Sequence, residues 1–425
     1  MEYIRFNPYL FDGSAVTDIT DSAGMSAEMK TYYKTRLLDH AKPNLVHDQV
    51  CKKVNIPAGN GKSIEFRRST RLDKNLTAIE EGKTPVGKNM SIESFTANVR
   101  QYGDYIQSSD VLQTAAVDPI IEERSKLLGD QAGRTLDTVS REVLNSGTNV
   151  IYAPKLENGT ETEVTGRNEL GEGCRLTLDL IFRAAAQLKA ENAPRFDGGD
   201  YVAIIHPYSA YDLMMEAKET GTWMDVSKYA GSTQVFNGEL GKIGGVRFLE
   251  STEAKVFLPE MIGDTGVRRM IVKTKTASAT NSVVVEGEIP TGTNLSVPVV
   301  INGVKNTILS IETGSGQSVI NLKDNVTVNA GDVISGAAEG DGNAAGGSGH
   351  AIFSTLVCGA DAAATTEIEG LGLEHIVKPL GYGDDPLNQR SSCGWKATKV
   401  SKILNEDYIV RIESVNRYSL TISDN

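Results

Sequence analysis

The sequence is poor in the residues that most catalytic and secreted proteins display. It has four cysteines in 425 residues, Cys51, Cys174, Cys358 and Cys393, and no two stand in a CxxC pair. That excludes the spacing of a structural zinc site and the dense pairing of a disulfide scaffold, and predicts reduced thiols in a cytosol. Histidine is as sparse: His40, His47, His206, His350 and His375 show no HExxH or related metal spacing. His206 closes an apolar run and reads as a structural or capping residue. No apolar run reaches the roughly 18 residues that cross a bilayer. The opening MEYIRFNPYLFDGS lacks the basic and apolar regions of a secretion signal, so no membrane partner is expected. Basic charge is in deficit, 43 Lys and Arg against 55 Asp and Glu, for a net charge of −12. Such a surface does not grip nucleic-acid phosphates in general, although a local basic lining is compatible with it. Aromatics make up only 6% while glycine numbers 42, which favours many strands and loops.

Catalytic motifs are missing too. Gly59-Asn60-Gly61-Lys62-Ser63 ends like a phosphate loop, but the first glycine of that motif falls at Ile56 and a strand pattern follows where a helix is required. Gly340-Asp341-Gly342 and Gly370-Leu371-Gly372 lack the third glycine of a dinucleotide fingerprint, and no GxSxG elbow occurs. Asp384-Asp385 sits in a Gly/Pro loop and reads as a solvated turn. Asp341 and Asn343 fail the twelve-residue calcium pattern. The sequons at Asn75, Asn158 and Asn325 carry little meaning in a cytosolic chain. No catalytic residue, cofactor or metal is expected.

What is present centres on residues 118–147, DPIIEERSKLLGDQAGRTLDTVSREVLNSG. Asp118 suits an N-cap, and Pro119 a first turn that needs no N–H. Glu122 and Glu123 follow at the positive end of the helix dipole. Leu128, Ala132, Leu136, Val139 and Val143 recur at four, four, three and four residues, one apolar stripe of a helix. Gly147 supplies the stop. The pattern predicts a helix of roughly 42 Å, against a usual length of about 11–12 residues. So long a helix with so narrow a stripe is expected to lie like a beam across other elements.

Before the beam, residues 1–25 read as an irregular arm, and Ser26 opens a helix with Met29, Tyr32, Tyr33 and Leu37 on one side, ended by Pro43. KSIEFRRS (62–69) and SFTANVRQ (94–101) alternate as two strands, with Ile64 and Phe66 on one face and Phe95, Ala97 and Val99 on the other strand's apolar side. The polar connection between them far exceeds the usual hairpin loop of about 2–5 residues. A ribbon without a core of its own is unstable alone and calls for another surface, plausibly a second subunit. QYGDYIQSSDVLQTAAV reads as the connection to the beam.

After the beam comes a mixed α/β layer. It has a helix stripe at Leu178, Ile181, Phe182, Ala185 and Leu188, a buried strand YVAIIH, a helix from Pro207 and a strand GVRFLE. Past about Lys273 the helical period stops. SVVVEG, LSVPVVING, NTILSIE, QSVINLK and VTVNAGDVI follow at the spacing of a small all-β module. Val283, Val285, Val299, Ile308, Val319, Ile320 and Val328 are its candidate core. A Gly/Ala/Ser linker, SGAAEGDGNAAGGSGH, leads out and permits independent orientation. The α/β pattern resumes at AIFSTLVCGADA. WKATKVSKIL and YIVRIES close the chain as an expected hairpin turning at Asn405-Glu406-Asp407.

This order of arm, long hairpin, beam, α/β layer and returning strands resembles the Hong Kong 97-type phage capsid fold. The stretches QYGDYIQSSDVL, IIEERSKLLGDQAGRTLDTVSREVLNSG, HPYSAYDL, GKIGGVRFLES, EIEGLGLEHIVKPLG and DPLNQRSSCGWKATKVSKIL are similar to major capsid proteins of the coliphage N-four type, over about Ser26 to Ser414 apart from the β module. The resemblance implies an α+β fold divided as follows: an N-terminal arm (1–50), an extended loop (51–106), a peripheral domain with the spine helix (107–173 and 383–425), an axial domain (174–272 and 348–382) and an inserted β domain (273–347). It implies a tailed-phage coat protein that assembles with itself into pentamers and hexamers around packaged DNA. It would be built in the host cytoplasm and carried in the virion, with portal, scaffolding and possibly decoration proteins as partners. Arg67, Arg68, Arg71, Lys74, Glu80, Glu81, Lys83 and Lys88 of the extended loop are then the expected subunit contacts. Leu128, Ala132, Leu136, Val139 and Val143 are the expected packing face of the spine. The insert is expected outside the shell, since bulk inside would compete with DNA. Rival readings are an enzyme on the α/β layer, a β-rich surface adhesin, and a cellular nanocompartment shell of the same fold.

Overall fold

The long helix runs Ile120–Leu144, about 38 Å at 1.5 Å per residue. The computed structural model describes residues 45–422 except 70–71, 73, 77, 79–80, 83, 85–86, 116–119, 158–159, 198, 221–223, 226–238, 291–297, 302–303, 337–338, 340–348, 383–386 and 421. The expected arm and its helix, Asp118 and Pro119, Asp384-Asp385 and most of the Gly-rich linker lie outside the described residues. The helix ends at Leu144, three residues before Gly147, and Gly147 does not take the left-handed conformation of a glycine stop. There the Arg411 guanidinium donates to the backbone oxygens of Asn145 and Gly147, a cation on the last carbonyls at the negative end of the dipole.

Leu128, Ala132 and Leu136 are buried against Cys393, Trp395 and Ala397 of the strand Arg390–Ile403. Val139 and Val143 are only half-buried. The enclosed surface is wider than the apolar stripe, because Arg124, Ser125, Asp137, Ser140 and Arg141 are buried as well.

Beneath the helix lies a flank sheet. Arg390–Ile403 is its middle strand, antiparallel to Arg100–Ser109, Glu374–Lys378 and Ala363–Thr366, with Lys52–Lys53 parallel to Ala363–Thr366 at one edge. The stretch after Gln101, expected as a connection, is therefore mostly strand, followed by the short helix Asp110–Ala115. Its alternation was hidden because its outward face carries Gly103 and Tyr105. A Cβ on Gly103 would stand 2.6 Å from the Trp395 carbonyl, and one on Gly394 would stand 2.8 Å from the Tyr105 Cβ, so close strand approach requires both glycines.

The expected closing hairpin does not form. A short turn, Glu406–Tyr408, sends the chain out of the flank sheet, and Ile409–Ser414 enters a central sheet instead. Every residue of Ile409–Ser414 is buried, which suits a strand covered on both faces rather than one at a hairpin edge. Among the described residues the central sheet runs Val150–Tyr152, Ile409–Ser414, Ile352–Cys358, Tyr201–Ile205, Val246–Glu250, Glu239–Ile243 and Met224–Asp225, with Val256–Phe257 also on Ile352–Cys358. Tyr201–Ile205 shows why YVAII is continuously apolar. Tyr201, Ala203 and Ile205 pack toward the helix Leu178–Ala190, while Val202 and Ile204 pack with Leu144 and with Val46, Val50 and Cys51.

The third sheet is the insert. Its order is Arg269–Ile271, Val333–Ser335, Pro298–Ile301, Val304–Gly314, Gln317–Val326 and Thr280–Glu286. It has its own core, in which six of the seven expected residues take part; Val319 is half-buried and lies outside that core. The sheet begins before residue 273, since Arg269–Ile271 pairs with Val333–Ser335, and Ile262, Met270 and Val272 join the core. Two further boundaries differ from expectation. Ala363–Thr366 and Glu374–Lys378, expected with the α/β layer, pair in the flank sheet, and Val150–Tyr152 and Ile409–Ser414, expected with the spine, pair in the central sheet.

Candidate assembly surfaces

The two expected strands form the ribbon as Ser63–Ser69 and Ile92–Asn98, with Phe66 opposite Phe95 and Ile64 opposite Ala97. Gly59 and Gly61 take left-handed conformations just before it, in a turn that leads to a strand rather than to a phosphate-binding helix. The ribbon's root is not coreless. Phe66 and Ala97 are buried with Ala364 of the flank sheet, and Val54, Ile64, Phe95, Val400 and Leu404 close around them. The need for a foreign surface is thereby confined to the distal part. There Leu72, Leu76, Met90 and Ile92 stand exposed, Leu76 by 91%. The expected contact set contained only charges and missed these four. Their signal was faint, because single apolar residues in a polar connection have no period.

The charged residues divide. Arg68 is spent within its own chain: its guanidinium donates to the Leu404 oxygen at 3.2 Å, to Asn405 Oδ1 at 2.8 Å and to Glu93 Oε2 at 2.6 Å. It locks the root onto the turn after strand 390–403 and is not a free contact residue. Arg67 meets Glu65 on its own strand at 3.2 Å and stays exposed. Lys74, Glu81 and Lys88 are exposed along the distal part. Arg71, Glu80 and Lys83 lie outside the described residues. Beside the root, Arg68, Glu93, Phe95, Val143 and residues 401–407 line an open cleft of about 540 Å³. The ribbon and the C-terminal half of the spine thus share one surface.

Underneath is a polar knot that sequence reasoning did not foresee. Lys399, fully buried, donates from Nζ to Asp48 Oδ2 and, at 3.0 Å, to the Leu136 oxygen. Ser140 Oγ donates to Asp48 Oδ1 and shares a hydrogen bond with Ser401 Oγ at 2.9 Å. His47 N donates to Asp137 Oδ1 at 2.8 Å, and its ring Nδ1 lies 2.6 Å from Asp137 Oδ2. These residues tie the root of the N-terminal arm, the spine and the flank sheet to one another. A buried ion pair of this kind specifies position more than it adds stability, and removal of one partner strands a charge. No single-sequence signal marks Asp137 or Ser140, because Leu136 beside them already defines the stripe.

Elsewhere burial shifts several titratable groups. Burial pushes the Cys358 thiol up to about 12, and burial first, then the neighbouring Asp48, pushes the Cys51 thiol up still further. All four cysteines are buried and none forms a disulfide. Burial pushes His206 down to about 4. Its Nδ1 accepts the Tyr208 N–H at 3.2 Å and its ring lies 5.0 Å from that of Phe353, the capping role its position implied. The Gln131 amide, with the Tyr105 N–H, holds the exposed Asp104 carboxyl below its usual range.

Comparison with protein families finds no match, and comparison with curated proteins finds none. Solved structures do match. The capsid of Ralstonia phage GP4 aligns at 12% identity over 87% of this chain and 87% of its own, with a TM-score of 0.52. The head of Helicobacter pylori bacteriophage KHP40 aligns at 12% identity over 88% of this chain and 90% of its own, with a TM-score of 0.50. An encapsulin complex from Synechococcus elongatus aligns at 10% identity over 89% and 88%, with a TM-score of 0.42. The chain therefore has the Hong Kong 97-type capsid fold, α+β, with a long spine helix, an extended hairpin and an inserted β sheet.

Proposed function

We propose that this chain is the major capsid protein of a tailed bacteriophage, and more finely of the coliphage N-four type. It joins copies of itself into pentamers and hexamers that close into a shell around packaged DNA. The observation that carries the reading is the ribbon: its root is packed on its own flank sheet, while Leu72, Leu76, Met90 and Ile92 stand exposed beyond it. Exposed apolar residues on a projecting ribbon are unfavourable in a monomer and suit a heterologous contact that repeats around a ring. Arg67, Lys74, Glu81 and Lys88 would frame that contact as its polar rim, with Arg71, Glu80 and Lys83 beside them. The net charge of −12 fits a container that must not hold incoming phosphates. The inserted sheet would form a separate domain on the outer surface. Portal, scaffolding and decoration proteins are the further partners this role requires, within the host cytoplasm and then the virion. Light scattering and electron microscopy of the purified protein across concentration and salt test the reading. Rings or closed particles are the expected result, and a monomer under all conditions overturns it.

A further inference from the structure

We propose that the C-terminal segment from Val415 to Ile422 is a strap that fixes the orientation of the inserted sheet on the central sheet. The inference stands on intrachain contacts and does not depend on shell assembly. The insert leaves and rejoins the body by two chain passages, one before Arg269 and one after Ser335. Two adjacent passages alone make a hinge, so a contact from a third part of the chain is what removes the freedom to swing.

The strap is held at both ends. At its start, Val415 N donates to the Cys174 oxygen at 2.8 Å. Arg417 Nε lies 3.5 Å from Asp212 Oδ1, and the Tyr418 ring lies 4.6 Å from Tyr208 and 6.5 Å from Tyr211, all three on the helix Pro207–Thr220. At its far end it meets the insert's first strand. The Arg269 guanidinium donates to the Ser419 oxygen at 2.6 Å and to the Ile422 oxygen. Ser419 is buried, and its oxygen also takes the Ala351 N–H at 3.0 Å, at the place where the chain re-enters the central sheet. Ile422 packs with Val256, Leu258, Ala351 and Phe353 beside both passages. One carbonyl thus accepts from the insert's entry strand and from its return point together. Hydrogen bonds from a charged donor into a half-buried site are stronger than neutral ones.

A second tether acts at the bases of the two passages. The Glu339 carboxylate accepts from Leu258 N at 3.0 Å and Lys255 Nζ at 3.3 Å, and its backbone oxygen accepts from Arg167 Nη1 at 2.6 Å. Glu339 joins the two passages to the body near their bases. Among the described residues, the strap is what spans from the insert to the helix Pro207–Thr220.

The test compares the wild-type chain with Arg269→Ala and with a chain ended after Asn416, each in its unassembled state. Spin labels on cysteines introduced at the exposed positions Lys305, on the insert, and Lys189, on the body, report the spread of distances between the two parts. Hydrogen exchange on the same samples reports local opening. The expected result is a narrow distance distribution in the wild type and a clearly broader one in both variants. Exchange at strands 269–271 and 333–335 should rise roughly ten-fold, while strand 317–326 stays protected. A distribution equally narrow in both variants, or already broad in the wild type, overturns the proposal. Loss of protection along 317–326 in step with the stem overturns it as well, because the segment would then be a folding element of the insert and not a strap.

Discussion

The ribbon and the insert are both β excursions from the same body, and they solve the burial problem in opposite ways. The insert closes on itself. Its alternating Val and Ile residues converge from six strands and leave no large part of the core to be supplied by the body. The ribbon has two strands and cannot close. It contributes Phe66 and Ala97 to a cluster completed by Ala364, Val400 and Leu404, and beyond that root Leu72, Leu76, Met90 and Ile92 face solvent. Strand number decides between the two outcomes. A hairpin has one apolar face and nothing to fold it against, whereas six strands can wrap a face around itself. The region with a core of its own is the one we propose to be tied down for orientation. The region without one is tied at its root and left open at its tip, where a partner can bind.

Three experiments bear on this contrast, from the largest effect downward. Ile320→Ala empties a fully buried position of the insert's core, at a cost of about 2–5 kcal/mol, most of what so small a unit commands. Protease cutting and hydrogen exchange should show the insert opening while the spine stays protected; simultaneous loss of both would erase the distinction drawn here. Acid should act the other way round. His206 is held down at about 4 by burial in the body, and residues 260–336 contain no histidine. The stability that the neutral ring contributes is whole above the unfolded value near 6.5 and is lost as the pH falls toward 4, on the order of 1.4 kcal/mol for each pH unit crossed. Calorimetry from pH 7 to 4 should move the body's transition down ahead of the insert's, and His206→Asn should flatten that slope; an unchanged slope assigns it to other groups. Deletion of 71–90 should have the smallest effect on stability, with circular dichroism and melting near wild type because the root is retained. Particles should vanish nonetheless, and normal shells from the deleted chain would return the ribbon to the status of an ordinary surface loop.

Much of this was legible in the residues. The spacing from Leu128 to Leu136 placed the spine's packed face, the alternation at 62–69 and 94–101 placed the ribbon's two strands and their apolar faces, and six of seven core residues of the insert were readable from short β-branched runs. Each depends on a period of two or of 3.6 within one element, which local order carries. The strand Arg100–Ser109 escaped because glycine and tyrosine on its outer face broke the alternation. The exposed Leu72, Leu76, Met90 and Ile92 escaped because isolated apolar residues in a polar connection have no period.

By itself, then, the sequence determined the elements: where the spine runs, which strands exist, and that one all-β module interrupts a mixed layer. Only the tertiary structure decided which sheet each strand enters. Arg390–Ile403 and Ile409–Ser414 are separated by a short turn yet part into different sheets, since Ile409–Ser414 is buried on both faces and fits only between two strands. Only the tertiary structure brought Asp48, Ser140 and Lys399 into one buried knot and set Arg269 on the carbonyls of Ser419 and Ile422. Partners hundreds of residues apart leave no periodic trace, because their pairing is enforced by the cost of burying a charge or a polar group alone, a cost that arises only once the chain has folded around them.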